Sequence, residues 1–319
     1  MRYYKQIILS LIILTCAFTT SSAQEELLFR HLTRNDGLLH DNVTCIVQDS
    51  LGYMWFGSHR GLNRYDGYSI DSYKYENGII NSVYYNRVYS IQIVGHHIWL
   101  ATEAGLSCFD IRTKKFVSYR IEGQSDPDFY SKVRVLKRGI NHQLWLISDN
   151  QIQLVKIQSS EKNGTQPVLS AQKIGDTYSY VADELNPKVA TDSLGNVWIS
   201  GKRYLSAYKP NANGELQFSG NINNNIGSGV RDICYDNGYL WLIYQEHLAK
   251  YKIENGDHYV LIKQVMFNTP GGVLSLCVDP DYVWIGANEG LFQVWKNNDS
   301  MPTIEHKHSP SNPYSVGSD

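Results

Sequence analysis

Residues 51–67 read LGYMWFGSHRGLNRYDG. The order is turn, strand, turn, strand, turn, with Trp55 at the centre of the first strand. Gly61-Leu62 and then Tyr65 follow it at fixed offsets, and the same register returns five more times. The anchors are Trp55, Trp99, Trp145, Trp198, Trp241 and Trp284, spaced 43 to 53 residues apart. Seven residues after them stand Leu62, Leu106, Ile152, Leu205, Leu248 and Leu291. Ten residues after them stand Tyr65, Phe109, Val155, Tyr208, Tyr251 and Val294. A register held over six copies identifies a repeat protein.

Each repeat divides into four short strand-like pieces. The first is apolar, as in VTCIVQD, VYSIQIV and VLSLCVD. The second carries the Trp (MWFGS, IWLAT, VWIGA). The third starts at the Gly-Leu position (GLNRYD, GLSCFD, GLFQVW), and the fourth is polar and variable (SIDSYKY, FVSYRI). A tight turn, DSLG, joins the first two pieces at 49–52 and again at 192–195. Short runs between turn signals read as strands rather than helices. Four antiparallel strands in a repeat of about 45 residues is the spacing of a β-propeller blade. The expected fold is therefore all-β, a β-propeller of four-stranded blades with six repeats complete and a seventh cut off. The anchor Trp and the +7 aliphatic residue are expected between adjacent blades, as core.

Composition agrees. The chain has 319 residues, 42% of them hydrophobic, with 23 Tyr and 25 Gly. Tyr favours strands and Gly supplies tight turns. The net charge is −2, which offers no basic face for nucleic acid. Arg2 and Lys5 precede the apolar run from Ile7 to Phe18, and Ser21-Ser22-Ala23 places small residues at a cleavage point. Residues 1–23 read as a secretory signal peptide, with the propeller occupying 24–319. Thr15 before Cys16 fits a lipoprotein site poorly. No later stretch reads as a membrane span. Cys45, Cys234 and Cys277 lie inside apolar strand patterns, so they and Cys108 are expected as free thiols. No CxxC or HExxH pattern is present, and neither a metal nor another cofactor is expected.

Propeller ligands commonly lie over the central channel, against the turns between second and third strands. Those turns carry His59 and Arg60, Glu103, Asp149 and Asn150, Lys202 and Arg203, Gln245 and Glu246, and Asn288 and Glu289. Their position repeats while their side chains vary, as expected of a binding face on a constant scaffold. The connector residues Asn35, Asp36, His40, Tyr84, Tyr85 and Asn86 are candidates for the same rim. His96, His97 and His142 lie in the opposite turns, and their spacing forms no metal site. The longest insertion, with SSEKNGTQP at 159–167, reads as a solvated hairpin tip.

The repeats resemble the two-component regulator propeller repeats. The carrying residues are DSLGYMWFGSHRGLNRYDG at 49–67, DPDYVWIGANEGL at 279–291, HHIWLATEAGLSCFD at 96–110 and DSLGNVWISG at 192–201. Repeats three and five keep the Trp and the +7 aliphatic residue but lose Gly-Leu. LFRHLTRNDGLLHDNVTCIVQD at the start also resembles such sensors, and the resemblance covers about residues 27–319. It implies the periplasmic sensor part of a Bacteroidetes-type hybrid two-component system. The intact protein would be membrane-anchored, would carry a histidine kinase and would form a homodimer. The implied ligand is a glycan-derived oligosaccharide that controls glycan-utilisation genes. Members usually have two seven-bladed propellers, with the N-terminal strand, here near Leu28 to Leu32, closing the last blade. SPSNPYSVGSD at 309–319 matches the connector before repeat two, so the chain reads as a truncated sensor. It contains no kinase region and is expected not to be an enzyme itself. Two other classes stay open: a secreted propeller enzyme, either lyase or glycosidase, and a protein–protein scaffold.

Overall fold

The computed structural model describes residues 27–76, 82–83, 85–103, 105–119, 133–139, 143–148, 152–158, 168–172, 188–200, 204–212, 216–223, 229–255 and 258–317. In the first repeat, β1 (Val43–Gln48), β2 (Met54–Ser58), β3 (Gly61–Tyr65) and β4 (Ile70–Tyr73) pair antiparallel in sequence order. The same four-stranded meander recurs over 88–119, 133–172, 189–223, 232–266 and 273–306. The described residues form an all-β propeller of six four-stranded blades. The signal-peptide region, the 159–167 insertion and His142 lie outside the described residues. None of the described helices is long and apolar enough to cross a membrane.

Strand register explains the spacing of the anchors. Trp55 and Gly57 lie two apart on β2 and face the same side. Gly57 pairs with Leu62 on β3, so Leu62 stands beside Trp55 on that face. A side chain at Gly57 would run into Cys45, Val88 and Ile91. The Trp face of each of the first five blades packs on the next one. Trp55 and Leu62 bury against Ile98, Leu100 and Phe109 of the second blade. Trp241 and Leu248 bury against Val283, Ile285 and Phe292 of the sixth. The Gly of the Gly-Leu pair answers to backbone geometry. Gly61 has φ +134°, and a Cβ there would collide with the Tyr73 carbonyl on β4.

The Asp of the first turn has two tasks. Asp49 Oδ1 accepts the backbone N–H groups of Leu51 (2.9 Å) and Tyr53 (3.0 Å). Its Oδ2 accepts the Trp55 indole N–H at 2.9 Å. Asp279 repeats this with Asp281, Tyr282 and Trp284. In the fourth blade Asn196 takes Asp192 Oδ2, and the Trp198 indole donates to the Tyr259 hydroxyl instead.

Burial is uneven around the molecule. Trp55, Trp99, Trp145, Trp198 and Trp241 are 0–3% exposed, whereas Trp284 and Leu291 of the sixth blade are only half-buried. On the first blade's other side Ile46 is 58% exposed, while its counterparts Ile91, Leu136 and Ile233 are 7%, 1% and 3% exposed. The outer lateral faces of the first and sixth blades therefore do not bury one another. The expected strand near Leu28 to Leu32 is not formed as a strand. Here Phe29 N donates to Tyr314 O at 2.9 Å and His31 Nε2 bonds Ser315 O at 2.7 Å. Between them, Arg30 stacks over Tyr65 of the first blade at 5.7 Å. With too few ladder bonds to one neighbour, the segment serves as a strap rather than a strand.

Candidate functional site

One end of the propeller carries the turns between second and third strands and the connectors that lead into the first strands. In the first two blades these turns share a local device. A hydroxyl at the end of the second strand reaches across: Ser58 Oγ donates to Gly61 O at 3.0 Å, and Thr102 Oγ1 to Gly105 O at 2.7 Å. Turn backbone is also tied to the neighbouring connector. Glu103 N donates to Arg87 O at 3.0 Å, Val273 N to Gln245 O at 3.0 Å and Phe267 N to Glu246 O at 2.7 Å. With the main chain committed, the side chains remain to meet a ligand.

His59, Arg60, Glu103, Gln245, Glu246, Asn288 and Glu289 all lie in these turns, on the one end. Asp149, Asn150, Lys202 and Arg203 fall outside the described residues, as does Tyr84. Asn86 caps the Tyr75 N–H at 2.9 Å, and Tyr85 packs near Tyr75 with ring centroids 6.2 Å apart. Asn35 lines a cavity of about 550 Å³ with Thr33, Arg34, Leu38, Leu39 and Asp41. Asp36 is taken up by a capping box with Thr33. The whole connector is stapled to the first blade where buried Asn63 accepts from Leu39 N at 3.0 Å.

The densest polar group joins blades one to three. The His40 and His59 rings lie 5.7 Å apart. Arg87 Nη2 lies 3.4 Å from His59 Nε2. A guanidinium only donates, so that nitrogen accepts and the His59 proton is on Nδ1. Burial, then the charges of Arg87 and His40, holds His59 below the ordinary imidazole range, against the opposing pull of Glu103. The Tyr89 ring lies between two guanidiniums, Arg87 at 5.4 Å and Arg134 at 4.5 Å. Arg87 Nε is buried with no acceptor. The group therefore offers guanidinium donors, imidazoles, a carboxylate and an aromatic face at one mouth of the channel. Such a set can bind hydroxyls and carboxylates by hydrogen bonding and stacking.

Arg87, Tyr89 and Arg134 were not among the turn and connector candidates, because they stand on or just before first strands whose apolar pattern reads as core. One signal was available: Arg87, Lys188 and Arg231 each immediately precede a first strand. Arg231 reaches Gln245 Oε1 at 3.4 Å. Of the histidines expected in the opposite turns, His96 lies in one and His97 opens the strand that follows it. Cys45, Cys108, Cys234 and Cys277 are free thiols. Burial raises the Cys45 and Cys234 thiols to about 11, which makes them poor nucleophiles. Among the described residues no three His, Cys, Asp or Glu side chains gather as metal ligands.

Residues 37–60 match the family model described as "Two component regulator propeller". A curated protein, histidine kinase P4 of Formosa agariphila, is 33% identical over 58 residues, which is 18% of this chain and 4% of that protein. Among solved structures, the extracellular domain of the hybrid two component system BT4673 of B. thetaiotaomicron superposes with a TM-score of 0.67 at 21% identity. That match covers 92% of this chain and 36% of the other. The corresponding domain of BT3049 gives a TM-score of 0.67 at 20% identity, covering 92% and 38%. A virginiamycin B lyase from Staphylococcus aureus gives 0.63 at 14% identity, covering 90% of each chain. These structural likenesses establish the propeller fold. The chain spans little more than a third of the two extracellular domains, and a small fraction of the curated kinase.

Proposed function

We propose that this chain is the ligand-sensing propeller of a two-component signalling protein, placed in the periplasm by its N-terminal signal peptide. The ligand class is an oligosaccharide released from a glycan, and binding controls genes for using that glycan. The signal leaves through a kinase in the intact protein, which works as a homodimer. The observation that carries this reading is the two component regulator propeller match at residues 37–60. Those residues include His40 and His59, both in the polar group at the channel mouth. Constant turns with varied polar side chains suit recognition better than catalysis.

Calorimetry of the chain against an oligosaccharide panel, with product analysis of the same samples, tests it. Saturable binding without turnover is the expected result. Arg87→Gln removes the guanidinium charge beside His59 and is expected to weaken binding about tenfold, the loss of one charge-assisted hydrogen bond. Turnover of any panel member would overturn the sensor reading. The second reading, a propeller lyase, rests on the 90% mutual coverage with virginiamycin B lyase. It requires positioned acid–base groups and predicts turnover that falls with His59→Gln.

A further inference from the structure

On the opposite end of the propeller, a cavity of about 490 Å³ opens between the fifth and sixth blades. Its walls include Tyr239, Trp241 and Lys250 from the fifth blade and Asp279, Lys296 and Asn297 from the sixth. Most charges there are already matched. Lys296 pairs with Asp236 at 2.7 Å, and nearby Lys263 pairs with Asp299 at 2.9 Å. Asp279 is saturated by the N–H groups of Asp281, Tyr282 and Trp284.

Two donors are left over. Lys250 is 8% exposed. Its ammonium lies 4.3 Å from the Tyr239 ring centroid and 4.7 Å from that of Trp241, and donates to Lys296 O at 3.2 Å. Among the described residues it has no carboxylate partner. The Trp241 indole N–H is also buried and has no acceptor. In the first and sixth blades the turn Asp takes the equivalent indole proton; in the fifth, Asp236 is drawn to Lys296 instead. Asp236, which also lines the cavity, and Asp299 favour the Lys250 charge but are paired to Lys296 and Lys263; a buried ammonium with no ion pair of its own, beside a buried donor without an acceptor, is costly unless something completes it.

We propose that this cavity is a second binding site, for a small carboxylate-bearing molecule whose carboxylate meets the Lys250 ammonium and the Trp241 indole N–H. Asn237 and Asn297 stand at the cavity wall to hydrogen-bond hydroxyl or amide groups of the same ligand, and Tyr239 gives it an aromatic floor. A carboxylate can reach such a site on a sugar acid or on an acidic amino acid. Nothing in this site depends on the channel-mouth group at the other end.

Calorimetric titration of the full chain with D-galacturonate, L-glutamate, D-galactose and sodium sulfate tests the proposal. At least one carboxylate is expected to bind saturably and galactose is not. Preference for galacturonate assigns the ligand to sugar acids, and preference for glutamate assigns it to amino acids. Lys250→Met is expected to lower the affinity at least tenfold, with a thermal midpoint unchanged or raised, since it removes a buried charge. Trp241→Phe keeps the aromatic wall and is expected to lower affinity about fivefold, the size of one hydrogen bond. Three results would each overturn the proposal: no binding of either carboxylate, sulfate binding as tightly as both, or full affinity retained in both variants.

Discussion

Asp49 shows how much one side chain can organise. Its carboxylate is buried and satisfies two turn N–H groups and the Trp55 indole together. Asp49→Ala leaves one buried and two part-buried donors unpaired, and urea denaturation is expected to show a loss of about 2–3 kcal/mol. His247 tests another effect. It is buried and stacked on Tyr244 with centroids 4.4 Å apart, and burial holds its imidazole below the ordinary value of 6.5. Burial does the same to His97 and His306. These groups take up protons in the unfolded chain before they do in the folded one. Stability is therefore full above 6.5 and falls as the pH drops below it. A thermal-melt series from neutral pH down to pH 5 is expected to show that fall, and His247→Phe to make it shallower. At this scale the sequence was half legible. Asp six residues ahead of Trp was visible in two repeats as part of a turn, but its bond to the indole was not, because Trp198 turns to Tyr259 instead.

At the scale of the blade, the order of four strands was readable because its causes are local. Turn residues punctuate the strands, and cross-strand pairing forces the Trp and the +7 aliphatic residue onto one face. What one blade lacks is a partner for that face, and this gives a comparison between repeats. Trp241 is fully buried against the sixth blade, whereas Trp284 is half-buried. Trp241→Ala is expected to cost about 3–5 kcal/mol. Trp284→Ala is expected to cost about half as much, since less of its surface leaves water on folding. Equal losses in chemical denaturation would contradict the burial pattern. The strand expected near Leu28 to Leu32 was misread at this scale. The apolar run LLF is real, but strand formation needs a neighbour with matching register, and Tyr314 and Ser315 supply only isolated bonds.

Over the whole molecule, the turns between second and third strands converge on one end because every blade is the same meander set around one axis. That is why His59, Arg60, Glu103, Gln245, Glu246, Asn288 and Glu289 could be placed on a common face from sequence. Arg87, Tyr89 and Arg134 could not, since their meeting depends on how adjacent blades abut. The same holds for the Lys250 cavity, where the ion pairs Lys296–Asp236 and Lys263–Asp299 run between two blades and leave Lys250 outside them. The central claim is that the turn end of the propeller reads an oligosaccharide. Hydrogen–deuterium exchange with and without a bound oligosaccharide tests it most directly. The account predicts protection at 58–61, 87–89, 103 and 245–246, with the opposite turns at 49–52 and 236–238 unchanged. Protection confined to those opposite turns, with the channel mouth exchanging as before, would contradict it.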